Sequence, residues 1–518
     1  MLFESICTAA LWSLNFISPS TLYRSREVTF MKKRLLTLLF AALLLTSTVS
    51  CSGTSEQENE TTTLPAVTET ATAAVETEPT EADVPEKDYA GKEFRIFTRG
   101  ETTGKFWHKD LAAEELNGDP LNDAVYNRNI ALAEKLNVKI TPLWSDTADM
   151  QPAATKSITA GDDAFEVMMA PLNQTNSMAT KNYLLNLNTD IPYLDLEKPW
   201  WDGNSVQDLS IGDTLYSVFG DYTIMDEETT WVMYFNKDIQ KDHQLENFYE
   251  LVETGNWTND KLHELSLAVT TDVDGDGDYD YEDLYGYQGE QYNALVSLIA
   301  SDVQYVHRDE NNMPVMIDAA AKERLFTALE STLTYMNDLD ASRIFDRDGW
   351  GALDALAKFR EGGSLFMMCG MINVMLFRDM DADFGVLPIP KTDAEQDGYY
   401  STLSVYNADA MSIPVTISDP EMIGIVMETF SAESRKTVLP AYYDVALTRK
   451  STRDEESRHM IDIIIEGKRF DVGMLYDIGG IASSIQKLVM SKSMDIASMW
   501  ASIEKSMATA LEDLYKDE

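Results

Sequence analysis

Residues 230–239 read Thr-Trp-Val-Met-Tyr-Phe-Asn-Lys-Asp-Ile. The large apolar run from Trp231 to Phe235 reads as a β-strand, stopped by Asn236, Lys237 and Asp238. Upstream, Thr214–Val218 reads as another strand. Nearer the start, Phe94–Phe97 is a short apolar strand. It is followed by helical spacing of Leu121, Val125, Leu132 and Leu136 over 121–136, with Asn122 or Asp123 near its start. Val138–Thr141 and Phe165–Met169 are the next strands, the latter set between the turn residues Gly161-Asp162-Asp163 and Pro171. Strand–helix–strand order predicts an α/β chain with mainly parallel sheet covered by helices. Downstream, Ser418 and Glu421 have capping-box spacing around Pro420, and Ile423, Val426, Met427 and Phe430 give an apolar stripe. Ile496, Trp500, Ile503, Met507, Leu511 and Leu514 predict a long amphipathic C-terminal helix.

The chain has 518 residues, 44% of them hydrophobic, enough for a large core. At about 150 residues per domain, two or three domains fit. Lys plus Arg number 41 against 87 Asp plus Glu, for a formal net charge of −46. Such a surface repels nucleic-acid phosphates and anionic lipid, so neither is an expected partner. Three cysteines and five histidines leave little for a disulfide framework or a His/Cys metal site.

Residues 31–51 read MKKRLLTLLFAALLLTSTVSC. A basic start, a short apolar run and small polar residues make a secretory signal. The run is short of the about 20 apolar residues a membrane-spanning helix needs. Met31 precedes the basic cluster directly, so translation is expected to begin there, with 1–30 and Cys7 as an upstream extension. Cys51, after Ser50, resembles the lipid-modified cysteine of a bacterial lipoprotein, although Thr48 stands where that motif has Leu. Residues 52–87, rich in Thr, Glu, Ser and Ala, read as a disordered tether. The folded part is then 88–518, held outside the cell membrane by its lipid.

With TWVMYFNKDI as the anchor, the chain resembles the family 1 extracellular solute-binding proteins of carbohydrate ABC transporters. NDAVYNRNIALAEKLNVKI (122–140), NWTNDKLHELSLAV (256–269), FREGGSLFMMCG (359–370) and DFGVLPIPK (383–391) follow in the family's order. PAYYDVALTRKSTRDEES (440–457) resembles a clostridial lipoprotein branch. The resemblance implies a two-lobed periplasmic-binding-protein-like clamp of type II, each lobe a mainly parallel sheet flanked by helices, with several interlobe crossovers. It places 88–224 with 364–416 in lobe 1, and 225–363 with 417–518 in lobe 2. It further implies a monomer that closes by a hinge on a carbohydrate and delivers it to the transmembrane subunits of an ABC permease.

Residues 272–283, DVDGDGDYDYED, match a twelve-residue calcium loop. Asp272, Asp274, Asp276, Asp278, Asp280 and Asp283 fall at positions 1, 3, 5, 7, 9 and 12, and Gly277 at position 6, where the turn is sharpest. Asp replaces the usual Glu at position 12. So many carboxylates repel one another unless a cation or water screens them. A structural Ca2+ is expected; the plainer reading is an acidic surface turn.

A sugar site needs aromatic faces for stacking and carboxylate, amide or Arg groups for hydroxyls. Trp231 and Trp350 lie near expected crossovers, and Tyr400, Tyr442 and Tyr443 lie in turn-like segments. Asp221, Arg99 and Glu101 are the charged candidates, and Tyr399, Trp200 and Trp201 are further aromatic ones. Each could equally be packing. No Lys/Arg cluster marks a phosphate pocket, which favours a neutral glycan. The competing readings are a secreted glycoside hydrolase and a sugar-sensing lipoprotein. A hydrolase needs two carboxyls about 5–9.5 Å apart. No HExxH, GxSxG or phosphate-binding glycine loop is present. No catalytic residue is expected.

Overall fold

The computed structural model describes residues 79–100, 108–447 and 455–514. Glu101, Cys7, Cys51 and the signal segment 31–51 lie outside these residues, as do 1–30 and most of the tether. Among the described residues no helix is long and apolar enough to cross a membrane.

Two sheets organise the fold. The first contains β1 (Lys92–Thr98), β2 (Val138–Trp144) and β3 (Val167–Pro171), all parallel, with β11 (Asp409–Ser412) antiparallel at the edge, in the order β11-β3-β1-β2. The second is mixed: β10 (Phe384–Leu387), β4 (Trp231–Asn236), β9 (Ser364–Gly370), β5 (Tyr285–Gly289) and β8 (Ser342–Ile344), in that order. In it β5 runs parallel to β8 and β9, and β4 runs against β9 and β10. A two-stranded ribbon, β6 (His307–Arg308) and β7 (Pro314–Val315), stands apart.

The local signals explain the helices. Helix Pro120–Leu136 starts where Asp119 accepts from Asn122 N and ends on Asn137 in the left-handed region at φ 51°. Helix Asn259–Val269 begins on Thr258, whose hydroxyl accepts from Lys261 N, and lies across β5. Ile496–Leu514 buries Ile496, Trp500, Ile503, Met507 and Leu511 as its periodicity predicts.

Four expectations need correction. Strands 364–370 and 384–387 sit in the second sheet, paired to β4, not in the first lobe. Ser364 to Cys369 is buried along its whole length, as suits a central strand covered on both faces. Helix Pro420–Leu447 packs on helix Pro120–Leu136, so within 417–518 only the part from 455 onward joins the second lobe. Arg128 fastens that helix pair: fully buried, it lies 4.0 Å above the Phe430 ring and donates to Ser434. The cap at 420 is Asp419, accepting from Met422 N at 3.0 Å, because Ser418 instead bonds Asp163. Residues 214–218 form only isolated bridges, through Thr214 to Ile211 and Val218 to Met411.

Candidate ligand-binding site

The carboxyl ends of parallel strands are where open α/β sheets receive ligands. In the first sheet these ends are Thr98, Trp144 and Pro171. In the second they are Gly289, Ile344 and Gly370, and Trp231, which opens the antiparallel β4, pairs with Gly370 at the same edge. The crossover segments bring the two edges together. Trp231 N donates to Thr402 O at 2.9 Å, while Leu172 N and Asn173 N, just past β3, donate to Ala408 O and Val405 O. Lys109, in the chain after β1, pairs with Glu228 just before β4.

Three rings gather at this junction. Trp231 and Tyr292 have centroids 5.6 Å apart, and Tyr292 and Tyr406 are 5.9 Å apart and edge-on. Tyr406 is 56% exposed, so the row runs from the interior to solvent. Trp231 Nε1 is buried with no hydrogen-bond partner, and so are Asn173 Oδ1 and Asn176 Nδ2 in the helix after β3, while the Val405 backbone N–H approaches the Tyr292 hydroxyl. Buried polar atoms normally find partners; Trp231 Nε1 and, beside Val405, Asn173 Oδ1 have none. Burial, with Asp346 nearby, pushes the Glu290 carboxyl beside Tyr292 up to about 8.

An acidic group adjoins the rings. Helix Met225–Thr229 carries Asp226, Glu227 and Glu228, all buried. Burial raises Glu228 to about 7 despite Lys109, and pushes Glu227 well above its ordinary value, with Asp226 adding to the effect. Asp221 pairs with Arg435 at 3.0 Å and is pushed by burial up to about 7.

Of the candidates read from sequence, Trp231 lies at the junction. Asp221, Tyr442 and Tyr443 lie with the acidic group: burial raises both tyrosines, with Glu227 among the charges acting on each. Arg99 pairs with Asp409, Nε lying 2.9 and 2.8 Å from its two oxygens, and so ties β1 to β11. Tyr400 lies under the Arg469 guanidinium at 4.7 Å. Trp350 is elsewhere, packed on Tyr281, Tyr285 and Arg343 at the amino end of β5. Trp200 and Trp201 both donate to Glu428, and the Tyr399 hydroxyl accepts from Trp257 N. The sequence patterns above do not reach Tyr292, Tyr406, Glu227, Glu228 or Lys109. The acidic triplet 226–228 directly before a crossover strand was a visible signal; the two tyrosines had none, because their neighbourhood is made by the fold.

In the 272–283 loop, carboxylate oxygens of Asp272, Asp274 and Asp276 lie within 4.8 Å of one another. Gly275 and Gly277 take φ 74° and 90°, which lets Asp272 accept from both their N–H groups. Asp278 and Asp280 are not in this group. Asp283 is 1% exposed and accepts from Val273 N and Asp280 N, both at 2.8 Å, so its two oxygens close the loop. The Asp274 carboxyl is held down by Asp276 N–H, yet burial and the charges of Asp276, Asp272 and Asp283 leave it above its ordinary value. Three convergent carboxylates and a tight glycine turn suit a hard cation with oxygen ligands.

No family model matches the chain. No curated protein matches it either. Among solved structures, it is similar to a cyclo/maltodextrin-binding protein complexed with maltotetraose, at 11% identity and TM-score 0.55, over 82% of this chain and 98% of that one. It is similar to UspC of M. tuberculosis at 12% identity and TM-score 0.53, over 81% and 100%. It is also similar to RafE of Streptococcus pneumoniae in its apo form, at 13% identity and TM-score 0.51, over 82% and 98%. The chain therefore has the two-lobed α/β fold of these structures.

Proposed function

We propose that this protein captures a carbohydrate between its lobes and delivers it to an ABC permease, with no chemistry of its own. The observation that carries this reading is the row Trp231–Tyr292–Tyr406, ending in an exposed ring and flanked by buried orphan polar atoms, where both sheets present their carboxyl ends. Rings offer faces for sugar C–H surfaces, and orphan donors and acceptors offer partners for hydroxyls. The fold likeness to a protein complexed with maltotetraose supports an oligosaccharide as the solute. The clostridial lipoprotein type, lipid anchoring at Cys51 and a structural Ca2+ on Asp272, Asp274 and Asp276 belong to the same proposal. The test is thermal unfolding of the protein against an oligosaccharide panel, with sugar analysis afterwards. A ligand at a hundred times its Kd adds about 2.7 kcal/mol. Stabilisation by one glycan class without consumption is expected. Consumption of the glycan overturns the reading in favour of a hydrolase, and no shift with any glycan overturns the sugar.

A further inference from the structure

Tyr406 sits in a tight turn. Asn407 N donates to Ser404 O at 3.0 Å and Ala408 N to the same oxygen at 2.8 Å. The turn runs directly into β11 of the first sheet, whereas Trp231 opens β4 and Tyr292 follows β5, both in the second. How the three rings line up therefore depends on what fixes this turn.

The carboxyl edge of the first sheet grips it from two places. Leu172 N and Asn173 N, past β3, donate to Ala408 O and Val405 O at 3.0 and 3.1 Å. Arg99, the residue after β1, donates through Nη2 to Asn407 O. Its Nε lies 2.9 and 2.8 Å from the two oxygens of Asp409, which opens β11 opposite Pro171. His108 Nε2 donates to Asp409 Oδ2 at 2.5 Å. A Cβ on Gly100 would lie 2.5 Å from Ser145 O, so the backbone just after Arg99 passes close against the chain leaving β2.

Arg99 is 4% exposed, His108 2% and Asp409 0%, so the guanidinium is covered by protein rather than offered to the cleft. A buried pair of this kind is weak evidence for stability, because desolvation offsets the attraction. What a guanidinium fork supplies is fixed geometry. Lysine in its place keeps the charge beside Asp409 but not the fork.

We propose that Arg99 is a positioning residue: held by Asp409 and His108, it fixes the turn that carries Tyr406, so that this ring meets Tyr292, and it acts on a bound glycan only through that ring. The effect on the glycan rests on the sugar reading of the ring row; the fixing of the turn does not.

The test has two parts, both on the full chain. Without sugar, amide hydrogen exchange is followed at Asn407 and Ala408. Arg99→Lys should speed it about tenfold and leave Met233 in β4 unchanged. Arg95→Gln, which breaks another Arg–carboxylate pair of β1, to Glu166, should not change it. With maltotetraose as the probe, titration calorimetry compares Arg99→Lys, Tyr406→Ala and the double variant. Arg99→Lys should weaken binding by no more than Tyr406→Ala does, at most about tenfold, and add less than about twofold in the double variant. If Arg99→Lys does not fold, Asp409→Asn is read the same way. Unchanged exchange at 407 and 408 overturns the proposal, as does full affinity in Arg99→Lys. Additive losses overturn it in favour of a direct contact between Arg99 and the sugar. If the wild type does not bind maltotetraose, that counts against this solute, and the exchange result alone decides whether Arg99 fixes the turn.

Discussion

Tyr406 meets Tyr292 edge-on at 67° with centroids 5.9 Å apart, and the second ring in turn packs on Trp231. The outer tyrosine is exposed, so Tyr406→Ala should change stability by no more than about 0.5 kcal/mol. Losing an aromatic face from a ligand contact costs about 0.5–1.5 kcal/mol. Affinity for the bound oligosaccharide is therefore expected to weaken by about two- to tenfold, measured by titration calorimetry. Trp350→Ala should leave affinity untouched, because that ring packs at the amino end of β5. Equal effects of the two variants would move the site away from the junction.

Burial pushes several carboxyls up in the folded state. Burial places Glu290 at about 8, and Glu228 and Glu428 at about 7. Their unfolded value is about 4.3. Between those limits the folded protein binds more protons than the unfolded one, so stability is fully present below about pH 4 and is lost as pH rises through 7 and 8. Groups with lowered values, such as Asp202 and Asp318, act the opposite way but only at lower pH. Melting temperature at fixed ionic strength should therefore fall from about pH 5.5 to 8. Glu290→Gln should flatten that fall. A rising profile would show these carboxyls to be ionised in the fold.

Strand and helix positions were readable because apolar runs and capping residues act locally. The lobe to which a strand belongs does not. Ser364–Gly370 is apolar almost throughout, which marks a central strand but carries nothing about which sheet it completes; the pairing with Trp231–Asn236 decides that. Ser418 and Asp419 both offer a capping oxygen one residue apart, and contact with Asp163 from another part of the chain settles which is used. The site shows the same divide. Trp231 could be singled out beside a crossover, whereas Tyr292 and Tyr406 become neighbours only when 401–408 returns between the sheets. Trp350 and the Trp200–Trp201 pair look equally suited to sugar in sequence, yet their rings are spent on packing and on Glu428.

The 272–283 loop gives a prediction independent of the sugar. Asp274 and Asp276 are exposed, so Asp274→Asn and Asp276→Asn should leave the calcium-free melting temperature nearly unchanged. Millimolar Ca2+ should raise the wild-type value, by about 2.7 kcal/mol in stability if the ion reaches a hundred times its Kd. The rise should disappear in the double variant. An equal response to Ca2+ in both proteins would return the loop to a screened acidic turn.

Gly286 marks the closest approach between helix Asn259–Val269 and β5. A Cβ there would fall 2.1 Å from Ser266 Cα and 2.2 Å from Ser266 O, inside the helix backbone, where no side-chain rotation relieves the clash. Gly286 N also donates to Thr270 Oγ1 at 2.9 Å, which holds the helix end against the strand. Gly286→Ala must push this helix, whose Leu262 and Leu265 are buried, off β5. Overpacking of this kind costs about 1–3 kcal/mol or more. Chemical denaturation should show a loss at or above the top of that range, whereas Gly275→Ala, with nothing within 4 Å of its Cβ, should show only the smaller strain of its φ of 74°. Equal losses in the two variants would mean that the helix rides on β5 more loosely than the packing requires.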